Sequence, residues 1–209
     1  DFVGLAFDLA FKYRNPAIIL ADGVIGQMME KVVLPEQRPR LTNEEVMARC
    51  PWATFGKLKH RGPNIVTSLE LDPAEMEKRN IHLQQKYAEI EEKEVRYEEI
   101  HCDDAEYLIV AFGSCARIAQ KAMEEARAEG IKVGLLRPIT LWPFPSKAIA
   151  ERSRQVKGIL TVELNAGQMV EDVRLAVECK VPVEYFGRLG GIVPDPDEVV
   201  TALKEKIIK

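Results

Sequence analysis

The 209-residue sequence has no CxxC pair, only three histidines, and four cysteines at wide spacings. Cys50, Cys102, Cys115 and Cys179 lack the spacing of a zinc or iron–sulfur ligand set. They read as reduced, mostly buried thiols of a cytosolic protein. His60, His82 and His101 stand apart, with His82 and His101 expected on the solvated face of a charged helix. No apolar run approaches the roughly 20 residues of a membrane span. Basic excess is also lacking: 29 Lys and Arg stand against 33 Asp and Glu, a net charge of −4. That excludes a protein built to coat nucleic acid, and no membrane partner is expected. There is no GxGxxG, no Walker pattern, and no legible Ser/His/Asp or Cys/His triad. What is present is 46% hydrophobic sequence, enough for a core without disulfides.

The chain divides into three zones. In residues 1–30, a helix over Phe2–Tyr13 is followed by Asn15-Pro16 and the run Ala17-Ile18-Ile19-Leu20-Ala21. Such a run suits a strand buried on both faces of a parallel sheet. A short helix through Met28 and Met29 is expected next. One such unit cannot cover its own strand, so it reads as a stub of a larger domain, in a chain entered mid-fold. Residues 31–104 begin with a crossing segment containing Pro35, Pro39, Pro51, Pro63, Trp52 and Phe55, with a short strand expected at Ile65–Leu69. Asp72-Pro73-Ala74-Glu75 then starts a long charged helix to about Ile100, with Asp72 as N-cap and Pro73 at the first position. Its thin apolar stripe and mixed charge favour a bridge between domains.

Residues 105–209 alternate strands and helices. Strands are expected at Tyr107–Phe112, Lys132–Leu136, Gly158–Glu163 and Pro182–Phe186. Helices are expected at Cys115–Glu129, Ser146–Gln155, Ala166–Glu178 and after the Asp195-Pro196-Asp197-Glu198 start. This predicts an α/β fold with a doubly wound, mostly parallel sheet. Ligands or partners of such sheets meet the carboxyl ends of the strands. Three loops fall there. Gly113-Ser114 opens a helix whose N–H groups suit an anion, although a tight turn is the more ordinary reading. Glu163, with Asn165, Gly167 and Gln168 behind it, is a strand-end carboxylate better suited to bracing the loop than to general-base work. Arg188 with Gly190 and Gly191 suits either a phosphate clasp or a turn. No catalytic, cofactor-binding or metal-binding residue is assigned; these nine residues are candidates for an interface.

Four runs carry a resemblance. They are Leu5–Ala10 with Pro16–Asp22 and Gly26-Gln27-Met28; Ala111-Phe112-Gly113-Ser114-Cys115-Ala116-Arg117; Gly134–Pro145, containing Arg137-Pro138-Ile139-Thr140-Leu141-Trp142-Pro143-Phe144-Pro145; and Glu163–Met169. Together they resemble the alpha subunit of the 2-oxoacid:ferredoxin oxidoreductases, and the Arg137–Pro145 run looks more like the 2-oxoisovalerate and 2-oxoglutarate types than the pyruvate type. The resemblance implies that residues 1–30 end a thiamine-diphosphate pyrimidine-binding domain. Residues 31–104 would cross and bridge, and residues 105–209 would resemble the transketolase C-terminal domain. It implies oxidative decarboxylation of a 2-oxoacid to acyl-CoA with ferredoxin reduction, the carbanion chemistry belonging to thiamine diphosphate. Thiamine diphosphate with magnesium and the iron–sulfur clusters would sit elsewhere in the complex, none on this chain. The implied partners are a thiamine-binding beta subunit, a gamma subunit, a ferredoxin-like delta subunit, ferredoxin and coenzyme A. The family's activating glutamate lies in a stretch this sequence does not contain. Asp22, at the end of a pyrimidine-domain strand, suits either a place facing the cofactor region or, the more ordinary role, a cap of the following turn. Two other readings stay open: a transketolase or 2-oxoacid dehydrogenase beta-chain relative, and a stand-alone nucleotide-binding α/β module.

Overall fold

The computed structural model describes residues 2–54, 56 and 62–208. His60 and Phe55 lie outside them. The chain splits into two compact units, residues 1–19 with 29–85, and residues 20–28 with 86–209.

The first unit is helical. Helix α1 (Phe2–Tyr13) lies where the apolar spacing predicts it. Asp8 takes both guanidinium nitrogens of Arg38, at 2.6 and 2.9 Å. Phe11 meets the Trp52 ring at 5.9 Å, and the Arg14 guanidinium lies 4.7 Å from the same ring's centre. Helix α3 (Asn43–Arg49) starts with a capping box: Thr42 Oγ1 accepts the Glu45 N–H while the Glu45 carboxylate accepts the Thr42 N–H. Helix α4 (Pro73–Lys93) begins as the sequence predicts, with Asp72 Oδ1 accepting the N–H groups of Ala74 and Glu75. The expected strand at Ile65–Leu69 does not form. Those residues carry no ladder, and Ile65 and Val66 are exposed.

The second unit starts with residues 20–28, which hold the short helix α2 (Gly23–Gln27). This helix ends just before Met28 and Met29, which the reading placed within it. The expected strand over Ala17–Ala21 is also corrected: it has no neighbour to pair with among the described residues, and Ile18 and Leu20 stay exposed. A strand exists only through its ladder, so an apolar run alone cannot make one.

The sheet has five strands in the order β1-β3-β2-β4-β5. They are β1 (Tyr97–Ile100), β2 (Tyr107–Ala111), β3 (Val133–Pro138), β4 (Ile159–Glu163) and β5 (Val183–Gly187). All pairings are parallel except β1 on β3. β1 is a further correction, since the long helix was expected to reach Ile100 but stops at Lys93. Tertiary pairing wins over the helix propensity of this Glu-rich stretch. Glu98 faces Arg137 in register and pairs with it at 2.9 Å, and Glu99 takes Arg152 at 2.9 and 2.6 Å. His101 therefore follows a strand, not a helix, at φ +52°.

Helices α5 (Gly113–Ala128) and α8 (Pro196–Leu203) cover one face of the sheet. Helices α6 (Ser146–Arg152) and α7 (Met169–Val177) cover the other. This is the doubly wound α/β architecture the sequence predicts. Period two along β2 and β4 assigns the faces: Ile109, Leu160 and Val162 point to α5 and α8, Leu108, Val110 and Ile159 to α6 and α7. On the open edge of β5, Arg174 donates to the Val183 carbonyl at 3.2 Å and Lys206 to the Tyr185 carbonyl at 2.8 Å. Cationic side chains thus occupy two backbone acceptors of an exposed strand.

The Arg137–Pro145 run ties the end of β3 to the chain leaving α4. The Ile139 and Thr140 N–H groups donate to the Arg96 carbonyl, and the Arg96 N–H donates to Thr140 Oγ1 at 3.0 Å. Trp142 packs edge-on against Tyr87, with centroids 5.8 Å apart.

Candidate functional site

Strand order reverses between β2 and β4: the chain leaves β2 toward β3, then crosses back to β4 and on to β5. At that switch point the loops after β2 and β4 diverge to opposite faces, the place where sheets of this kind meet ligands or partners. Because β2, β4 and β5 are parallel, all three loops singled out in the sequence come to this edge. The Arg188 N–H donates to the Glu163 carbonyl at 3.3 Å, joining two of them directly.

Glu163 is 1% exposed. Its Oε2 accepts the Gln168 and Met169 N–H groups at 3.1 and 2.8 Å, and its Oε1 accepts the Val170 N–H at 3.0 Å. Gln168 makes no side-chain cap, so the carboxylate at the end of β4 caps α7. Three charge-assisted hydrogen bonds at a helix N-terminus use this group for bracing and leave no free base. Asn165 Oδ1 accepts the Gly167 N–H at 2.7 Å, and the Asn165 carbonyl accepts the Tyr185 hydroxyl. Gln168 contributes through its backbone N–H alone among these bonds.

At the end of β2, Gly113 has φ +56° and Ser114 donates its hydroxyl to Asp22 Oδ2. Asp22 Oδ1 accepts the Ile25 N–H at 2.8 Å. Asp22 thus caps its own turn, as expected, and also pins residues 20–28 to the start of α5. Burial pushes the Cys115 thiol up to about 11, with the Glu163 and Asp22 carboxylates adding to the shift. The Tyr185 hydroxyl is pushed up by burial and by the Glu163 and Cys115 charges. Burial, then Glu171 and Glu163, raise the Asp172 carboxyl. An incoming phosphate at the start of α5 would meet this acidic surround, which works against the nucleotide-binding reading. The sequence did not single out Cys115 or Tyr185 as site members. Their only signals are position: the residue after Gly113-Ser114, and the inward period-two place on β5.

Gly190 and Gly191 have φ +67° and +85°, and the Ile192 N–H donates to the Leu189 carbonyl at 3.3 Å. Left-handed backbone at both central residues is a type I′ turn, which glycine adopts without steric cost. The turn, not the phosphate clasp, is therefore the reading the geometry supports. Arg188 Nη1 lies 3.5 Å from Glu198 Oε1, while its Nε is buried without a hydrogen-bond partner.

Among the described residues no group of three or more His, Cys, Asp or Glu side chains is placed to hold a metal. Cys102 is buried with its thiol pushed up to about 11, Cys115 is the buried thiol above, Cys50 is half-buried, and Cys179 is exposed. Cys179 departs from the mostly buried expectation. Scattered thiols, two of them buried with raised values, do not make an iron–sulfur ligand set. No helix among the described residues is long and apolar enough to cross a membrane.

Residues 105–199 match the pyruvate:ferredoxin oxidoreductase core domain II family. Over 98% of its length the chain is 47% identical to ketoisovalerate oxidoreductase subunit VorB of Methanothermobacter thermautotrophicus, covering 56% of that protein. Residues 105–199 thus carry that family's core domain II, and nearly the whole chain is similar to 2-oxoacid:ferredoxin oxidoreductase subunits. It is also 31% identical, over 91% of its length, to 2-oxoglutarate synthase subunit KorA of Archaeoglobus fulgidus, covering 53% of it. The chain spans about half the length of the curated relatives it matches. A 2-oxoglutarate:ferredoxin oxidoreductase from Magnetococcus marinus, solved with 2-oxoglutarate, coenzyme A and succinyl-CoA bound, shares the fold. The match has a TM-score of 0.58 and 24% identity, over 66% of this chain and 24% of that one.

Proposed function

We propose that the chain is part of the alpha subunit of a cytoplasmic, thiamine-diphosphate-dependent 2-oxoacid:ferredoxin oxidoreductase of the 2-oxoisovalerate type. The assembly would convert a 2-oxoacid and coenzyme A to acyl-CoA and carbon dioxide, passing electrons singly to ferredoxin. Residues 1–30 would complete a pyrimidine-binding domain, and residues 31–104 would cross and bridge to the α/β domain. Beta, gamma and ferredoxin-like delta subunits would carry thiamine diphosphate, magnesium and iron–sulfur clusters. This chain's part would be architectural: a rigid sheet whose carboxyl edge meets other subunits.

The observation supporting the substrate choice is the contrast in identity. It is 46–47% to the two ketoisovalerate subunits and 28–31% to the four 2-oxoglutarate synthase subunits, all over 91% or more of the chain. The satisfied carboxylates of Glu163 and Asp22 favour the architectural role. The test is co-expression of the full-length subunit with its partners and measurement of coenzyme-A-dependent ferredoxin reduction. The expected kcat/KM is at least roughly tenfold higher for 2-oxoisovalerate than for 2-oxoglutarate or pyruvate. A reversed preference refutes the substrate, and a subunit that joins no thiamine-binding partner refutes the role.

A further inference from the structure

We propose that the Arg188–Val193 turn is a docking site for an apolar segment of another subunit that carries one acidic side chain. The proposal rests on the reading of the chain as an oxidoreductase subunit and names the partner's chemistry. Of the nine candidate interface residues, most are spent within the chain. Glu163 caps α7, Asn165 and Gly167 close their own turn, and Ser114 holds Asp22. The turn after β5 differs in three ways.

First, it presents apolar side chains outward from a rigid base. The type I′ geometry fixes Leu189 and Ile192 at its two ends, and they are 58% and 53% exposed. Val193 follows at 47%, and Leu164, next to the Glu163 that bonds the Arg188 N–H, adds 38%. Single exposed aliphatics are ordinary on a protein surface; three within five residues of one turn, with Leu164 beside the hydrogen bond that joins the two loops, suit a contact site. Second, a cation beside them is under-satisfied. Among the described residues, Arg188 Nε is the one buried side-chain nitrogen or oxygen without a hydrogen-bond partner. Its charge has a single carboxylate at 3.5 Å, and that Glu198 is already engaged by the Asp195 N–H in the cap of α8. Third, the glycines leave open space above the turn, since a Cβ on either would meet nothing within 4 Å. Covering the aliphatics would remove water from Arg188 and strengthen its attraction for an acid. A planar, weakly hydrated guanidinium suits a carboxylate at such a boundary. Charge complementarity therefore selects a polypeptide bearing Asp or Glu among apolar residues.

The test places a photo-crosslinking amino acid at Leu189 in the assembled, active enzyme and maps its products by mass spectrometry. The expected product joins Leu189 to an apolar segment containing Asp or Glu in a different subunit. Arg188→Glu is expected to weaken assembly at least roughly tenfold, as for loss of a buried ion pair. Reversal of the cross-linked acid to Lys should restore it, with unchanged thermal unfolding of the variant chain as the control. A product joining two copies of this chain overturns the proposal. So does phosphate binding that Arg188→Gln abolishes in an enzyme giving no cross-link. An enzyme that assembles and turns over 2-oxoacid without any product from Leu189 removes this surface and leaves the functional reading standing. A chain that recruits no subunit removes both.

Discussion

Replacing Glu163 with Gln tests the claim that this carboxylate is a structural cap. The substitution keeps the shape and removes the charge. In the native fold two oxygens serve three N–H groups at 2.8–3.1 Å, at 1% exposure. A glutamine offers one acceptor oxygen and turns an NH2 toward groups that are themselves donors. Hydrogen bonds to a charged group contribute about 1.5–3 kcal/mol against about 1 for neutral ones. The interaction of a carboxylate with a helix N-terminus adds up to about 2 in partly buried geometry. These contributions overlap, so the expected loss for Glu163→Gln is about 3 kcal/mol, or roughly 9 °C in Tm for a chain of this size. Glu163→Ala, which orphans all three donors and leaves a void, should cost about 4–5 kcal/mol. Amide hydrogen exchange locates the effect: protection should fall at Gln168, Met169 and Val170 before it falls in β2 or α5. A Glu163→Gln protein within about 0.5 kcal/mol of the parent, with those three amides still protected, would refute the capping argument.

Three more outcomes follow from the same edge and from the buried thiols. With folded values raised to about 11 from an ordinary 9.0, Cys102 and Cys115 stay protonated in the native state at pH 8, so a thiolate-selective reagent should label exposed Cys179 first and these two only on unfolding. Below about pH 9 their contribution to stability is intact. As pH rises from there through about 11 the unfolded chain ionises first and stability falls, which urea titration across that range would show. Separately, Gly187→Ala places a Cβ against the Tyr185 hydroxyl and 2.8 Å from the Asn165 carbonyl; overpacking there should cost about 2 kcal/mol, a drop of roughly 6 °C readable by calorimetry.

The α/β domain was legible because its strands are buried on both faces. Runs such as Leu108–Ala111 and Ile159–Val162 need no partner pattern to be recognised. Caps made within three residues, at Asp72 and Asp195, were equally plain. What escaped were features made by distant residues. β1 depends on pairing Glu98 with Arg137, 39 positions away, while its local composition favours helix. The cap of α7 comes from the preceding strand, not from Gln168, so no capping signal lies where the helix begins. Asp22 reaches Ser114 across 92 positions. Ala17–Ala21 failed in the opposite sense: its apolar run is genuine, but its ladder partner is not among the described residues. For the candidate loops, position at the carboxyl edge was readable, whereas which groups were already engaged was not.

The carboxyl edge at the strand reversal has an implication for how variation will be felt there. Its acidic groups hold the chain's own turn, hydroxyl and helix start. A substitution at Asp22, Ser114 or Glu163 therefore acts on how much folded subunit a cell maintains rather than on how tightly that subunit grips a small molecule. In vivo, a loss of one to two kcal/mol is enough to change abundance several-fold through quality control. Under the proposed role as one subunit among several, this stretch would show itself as a dosage determinant of the assembly, with shortage of this chain limiting every copy of the others.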